Sequence, residues 1–213
     1  MRLLLTSADI AEGLDALVIA DPRLAPIRVT AGDVDIRHSP PGFEGVARIG
    51  VAQMLSVASA GAIWRRLEAL LGTVGPEALL AASDEDLRAV GLSGGKVRTL
   101  RGVAAAEVAG LDLAGLVEAP AEDAVRALVA LPGIGLWTAE IFLLFCARRA
   151  DIFPAGDLAL QVAAMEGLEL SGRPTEKEMR AIAEAWSPWR GVAAKLLWTY
   201  YKACRDGRVA IPV

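Results

Sequence analysis

A chain of 213 residues has room for one domain or two small ones, each with a buried core. Its 54% hydrophobic content is broken before any bilayer-length run, and Met1–Leu5 is too short for a signal-peptide core, so a soluble, cytoplasmic protein is expected. A net charge of −4 with a pI of 5.2 argues against a broad basic surface for nucleic acid, and two cysteines, Cys146 and Cys204, are too few for a disulfide scaffold.

Thr6–Ala20 reads as an amphipathic helix after a Thr/Ser cap, with Ile10, Leu14, Leu17 and Val18 at helical spacing, and Asp21-Pro22 stops it. Between Arg23 and Gly42 the residues Pro26, Gly32, Pro40 and Pro41 leave room only for short extended pieces such as Val34–Ile36. His38, the sole histidine, lies there with no second metal-ligating residue beside it, and reads as a loop histidine. A long helical pattern follows over Phe43–Leu71, interrupted near Gln53–Ser59.

Ser83-Asp84-Glu85-Asp86 resembles a capping box ahead of a helix that Gly91 ends. Gly91-Leu92-Ser93-Gly94-Gly95-Lys96 opens another, running to about Gly110; Lys96 there is either a phosphate contact or a solvated first-turn lysine. Ala121–Val129 is a further helix with Val125, Leu128 and Val129 facing inward. Near the end, a T-x-x-E box opens Thr175–Trp186, and Ser187-Pro188 offers an N-cap and an N1 proline to a last helix, Trp189–Cys204. No strand longer than a few residues is legible, so the architecture is all-α.

The rest of the chain is organised around Leu131–Asp157, LPGIGLWTAEIFLLFCARRADIFPAGD. Leu131 is pushed out of the helical region by Pro132, and Gly133 and Gly135 admit angles that other residues resist, so this is a tight turn between two helices. The second helix, Leu136–Ala147, presents unpaired first-turn amides and the positive end of its dipole, an anion site able to meet a phosphate backbone without lysine or arginine. Asp157 follows Pro154-Ala155-Gly156, twenty residues after Trp137. By itself Asp157 reads as the N-cap of Leu158–Met165, and Trp137 as a core tryptophan.

The pattern L-P-G-I-G-x-W-T-A with an aspartate about twenty residues on resembles the helix-hairpin-helix DNA glycosylase superfamily. W-T-A-E-I…D-I-F-P-A-G-D is similar to its 3-methyladenine DNA glycosylase II members, over about Pro40–Asp206. The resemblance implies a helix-hairpin-helix glycosylase fold: residues 1–44 with 151–213 as one helical subdomain, and 45–150, carrying the hairpin at about 121–147, as the other. The active-site cleft would lie between them, with Trp137 and Asp157 on opposite walls. Too few residues precede Phe43 for the N-terminal β domain of some relatives, and the cysteines are too few for the iron–sulfur cluster of others.

The resemblance also assigns roles. Asp157 is the catalytic carboxylate, and Trp137 and Trp198 are base-pocket aromatics. Pro132, Gly133, Ile134, Gly135 and Lys96 bind DNA. Where relatives read G-Q-Q-x-S this chain has Ala52-Gln53-Met54-Leu55-Ser56, which makes Gln53 and Met54 the wedge candidates that fill the gap left by an extruded base; Met54 as plain helix core is the alternative. Arg48, Arg65, Arg98, Arg101, Arg190 and Lys195 are further cations that could gather at the DNA. Backbone carbonyls of Val129, Leu131 and Ile134 are implied as ligands of a structural Na+ or K+, with no other cofactor required. Strand-cutting members carry a Schiff-base lysine where this chain has Trp137, so simple hydrolysis is expected.

The expected function is a monofunctional DNA glycosylase that removes alkylated purines, 3-methyladenine and also 7-methylguanine, from double-stranded DNA in base excision repair, as a monomer with no membrane association. Two alternatives stand beside it: a non-catalytic helix-hairpin-helix binder of DNA structure, and a glycosylase for deaminated or mismatched bases.

Overall fold

Half of the α-helices among the described residues start where a short polar side chain takes an orphan amide. In a computed structural model, which describes residues Arg2–Arg205, α1 (Ser7–Ala20) opens on a complete capping box between Thr6 and Asp9. The hydroxyls of Ser56, Ser83 and Ser93 cap α4 (Val57–Leu71), α6 (Asp84–Ala89) and α7 (Gly94–Val108). The Asp157 carboxylate caps α10 (Leu158–Gly167), and Thr175 with Glu178 closes a second capping box on α11 (Glu176–Glu184). The remaining helices are α2 (Leu24–Ala31), α3 (Gly42–Ala52), α5 (Pro76–Ala81), α8 (Ala121–Val129), α9 (Leu136–Phe145) and α12 (Arg190–Cys204). Among the described residues the fold is all-helical, with one isolated bridge, Leu3 to Arg149, in place of any strand. No helix among them is long and apolar enough to cross a membrane.

Three local expectations are corrected. Arg23–Gly42 is not simply extended: α2 forms because Pro26 is its third residue, inside the first turn where no intrahelical amide bond is lost. Its Leu24 and Ile27 are essentially inaccessible. Ser187 does not cap α12, whose N-cap is Trp189; the Ser187 hydroxyl donates instead to Asp151 Oδ2 at 3.0 Å. Val129 does not face inward, being 40% exposed, and the buried side of α8 is Ala124 and Leu128.

The helices group into two compact units. Among the described residues one comprises Arg2–His38 and Arg148–Arg205, the other Ser39–Ala147. In the first, α12 packs against α1, α2, α10 and α11, and its stretch from Gly191 to Trp198 is buried throughout. Gly13 on α1 is needed for that approach, because a Cβ there would come within 2.7 Å of Val192 and 2.8 Å of Trp189. In the second, α9 packs on α3 and α8 while α7 packs on α3, α5 and α6. Helix α9 is buried on every side from Thr138 to Phe145, which explains why its sequence shows no polar stripe.

Candidate active site

The turn between α8 and α9 is carried by α7. Gly133 has φ +78, and a Cβ on it would overlap the Thr99 hydroxyl, while the Pro132 ring occupies the space that a side chain at Gly102 would need. Leu131 and Ile134 are buried anchors, leaving Pro132, Gly133 and Gly135 exposed between them. Helix α9 then starts at Gly135 with no side-chain cap, as α2, α3, α5, α8 and α12 also do, but here the start follows directly on the exposed turn. An uncapped, exposed start of this kind offers amides and a positive dipole end to an anion. Ile134 is not itself part of that offer: its side chain is 5% exposed and its amide donates to Leu131 O at 3.2 Å.

Asp157 combines two jobs. Its Oδ1 accepts the Leu160 amide at 3.0 Å, capping α10, and the indole N–H of Trp198 at 3.1 Å, while the residue as a whole is only 8% exposed. A carboxylate held from two directions keeps one orientation. Trp198 therefore departs from its expected place in a base pocket: at 1% exposure its ring has no face for a base, and its N–H orients the carboxylate instead. Trp137, in the first turn of α9, is half-buried.

The break between α3 and α4 separates the two wedge candidates. Gln53 turns inward, its Nε2 donating to Thr138 Oγ1 on α9 at 2.8 Å. Met54 has φ +58 and is 101% exposed, so it is the residue that projects, and it is not helix core. Lys96 is half-buried and its ammonium is engaged by the backbone of this turn. It donates to Val51 O at 2.7 Å and Gln53 O at 2.9 Å, and burial holds its pKa below the ordinary lysine value. Gln53, Met54, Lys96 and Thr99 line one cleft of about 440 Å³.

A family model described as HhH-GPD superfamily base excision DNA repair protein matches residues 49–188. The DNA-3-methyladenine glycosylase 1 of Schizosaccharomyces pombe is 30% identical over 162 residues, 73% of this chain and 71% of that protein. The chain belongs to the HhH-GPD superfamily. The DNA-3-methyladenine glycosylase 2 of Escherichia coli is 29% identical over 167 residues, 73% of this chain and 56% of that protein. Among solved structures, the 3-methyladenine DNA glycosylase of S. pombe in complex with abasic DNA superposes with a TM-score of 0.82 at 26% identity, covering 88% of this chain and 95% of that one. A DNA-3-methyladenine glycosidase from Bacillus halodurans gives a TM-score of 0.76 at 33% identity, covering 93% of each chain.

This HhH-GPD protein does not reserve most of the cations expected for DNA. Arg48 pairs with Glu44 and Glu68 and lies 4.1 Å from the Trp64 ring centroid. Arg101 is taken by Asp84 and the carbonyls of Leu80 and Ala82, and Arg190 by Asp151 at 2.6 Å. Lys195 is 4% exposed, donates to Ile36 O at 2.8 Å, and is pushed down to about 7 by burial. Arg65 and Arg98 are exposed. The cysteines carry no site either: Cys146 is buried, its thiol pushed up to about 12, and Cys204 is exposed. Sequence reasoning passed over Thr138, although its place beside Trp137 in W-T-A was a signal.

Proposed function

We propose that this protein is a DNA glycosylase that hydrolyses the N-glycosidic bond of alkylated purines, chiefly 3-methyladenine and also 7-methylguanine, without cutting the strand. The observation that carries the reading is Asp157, a nearly buried carboxylate fixed by the α10 amide and the Trp198 indole. An alkylated purine already bears positive charge on its ring. It leaves as a neutral base when the bond to the sugar breaks, so a strong acid is unnecessary. What remains is to favour the oxocarbenium-like sugar and to direct water to its anomeric carbon, and a fixed carboxylate does both. The water oxygen bonds to that carbon, its proton is lost to solvent or to Asp157, and the abasic strand stays intact.

Trp137 supports the substrate class and the absence of strand cutting. Its indole can face an electron-poor, cationic base, and it has no amine with which to form a Schiff base. The exposed Pro132-Gly133 edge and the uncapped start of α9 suit a phosphate of double-stranded DNA, a contact that positions the duplex without reading sequence. The hairpin also fits a monovalent cation. Leu131 O accepts the Ile134 amide, while among the described residues no backbone bond reaches the carbonyls of Val129 and Ile134. Those three oxygens would hold the ion, which would stiffen the turn.

The test is incubation with methylated duplex DNA, with detection of free base and of the strand. Release of 3-methyladenine, strand breaks only after alkali, and no borohydride-trapped adduct are expected. No released base would reduce the protein to a hairpin DNA binder, and a trapped adduct would require a lysine nucleophile.

A further inference from the structure

Met54 holds a left-handed backbone without being glycine, asparagine or aspartate, and its side chain touches nothing that would compensate. Such a conformation persists only where its surroundings impose it. Here the hold comes from behind the turn. Lys96 Nζ bridges Val51 O, in the last turn of α3, and Gln53 O, at its C-cap, and Gln53 Nε2 is tied to Thr138 Oγ1. The placing of Lys96 is costly by itself, since an ammonium in the first turn of α7 opposes that helix's dipole and loses water. The two carbonyls at the negative end of α3 offset that cost. Thr138 is 3% exposed on α9 and directly follows Trp137, so one side-chain bond links the projecting turn to the helix that carries the candidate base-stacking ring.

We propose that Thr138 and Lys96 are positioning residues for base excision: Lys96 grips the backbone on which Met54 stands, Thr138 grips its neighbour Gln53, and together they fix the Met54 wedge relative to α9. This rests on the reading of Met54 as the residue that fills the duplex gap. A wedge that can swing loses stacking contact in the extruded state, so these bonds act on extrusion and not on bond cleavage.

The experiment is a double-mutant cycle in the full chain, with single-turnover release from a duplex bearing one 7-methylguanine and thermal melting of every variant. Thr138→Val keeps the shape and removes the hydroxyl; it should slow release about 10-fold, the scale of one lost hydrogen bond. Thr138→Ser, which restores the acceptor, should stay within about 2-fold of the parent. Met54→Ala should also slow release, and adding Thr138→Val or Lys96→Met to it should bring no further loss, because the two residues act through Met54. Losses that multiply instead overturn the inference while leaving the wedge in place, as does a Thr138→Val variant at parental rate. If Met54→Ala alone releases base at the parental rate, the wedge reading falls and takes the inference with it.

Discussion

Replacing Asp157 by asparagine separates its two jobs. The side-chain oxygen of asparagine can still accept from the Leu160 amide and the Trp198 indole, which now sit 3.0 and 3.1 Å from Oδ1, and asparagine caps helices as well as aspartate. What weakens is the charge on the acceptor. Bonds to a charged group contribute roughly 1.5–3 kcal/mol and neutral ones roughly 0.5–1.5, so two bonds lose about 2 kcal/mol and neither donor is orphaned. Melting should fall by several degrees, on the scale of about 2–4 °C per kcal/mol for a chain this size. Catalysis should fall far more, because a missing preorganised charge costs roughly 10²–10³ in the chemical step. The assay is single-turnover release of 3-methyladenine beside affinity for abasic duplex, which should stay within a few-fold. Trp198→Phe should act in the same direction but by only about 10-fold, since one orienting bond is lost and the charge remains. Asparagine activity within 10-fold of the parent would falsify the catalytic role and leave Asp157 as a helix cap.

The two turn glycines should part company. Gly133→Ala must strain a backbone at φ +78 and displace Thr99, so a large drop in melting temperature is expected, whereas Gly135→Ala meets nothing within 4 Å and should melt near the parent while binding damaged and undamaged duplexes equally weakly. Loss of affinity confined to damaged DNA would show that the turn does not bind the backbone. Trp137→Ala should reduce excision of cationic 7-methylguanine about 2- to 30-fold more than excision of neutral hypoxanthine; equal losses would assign the ring to shape alone. Lys195, with a folded pKa of about 7 against an ordinary 10.5, is neutral in the folded chain where the unfolded chain still holds its proton, so stability rises as pH goes from 7 to 8.5, on the order of 1 kcal/mol. Urea midpoints should show that rise in the parent and a flatter profile in Lys195→Met; the buried Cys146 pulls the opposite way only at higher pH.

The helix ends were the most legible part of the chain, because Thr6, Ser83, Ser93 and Thr175 cap with their own side chains and the signal is local. Helix α2 was hidden by Pro26, a residue that breaks a helix interior but not a first turn, and nothing nearby said which it was. The family resemblance marked Asp157, Trp137 and Trp198 as site residues, yet it could not tell that one aromatic is half-buried and the other at 1% exposure serves the carboxylate through its N–H. Gln53 and Met54 are neighbours with similar size, and only the left-handed angle at Met54 sends one inward and the other out.

Lys96 shows why charge was the hardest property to read. A lysine at the start of a helix after a glycine-rich turn has the appearance of a phosphate contact, and its actual partners are carbonyls 45 and 43 residues away. Arg48, Arg101, Arg190 and Lys195 are spent in the same way, on acids or carbonyls of this chain. A net charge of −4 is therefore consistent with a nucleic-acid partner only if the grip is local, and on the proposed reading the uncapped start of α9 would supply a grip whose positive charge is absent from any residue count. Backbone amides release few counterions, so an interface built on them depends less on salt than one built on lysine and arginine. On the proposed reading the acidic composition and the helix-hairpin-helix belong to one solution: the hairpin would hold the duplex by dipole and amide, while Arg48, Lys96, Arg101, Arg190 and Lys195 hold the protein.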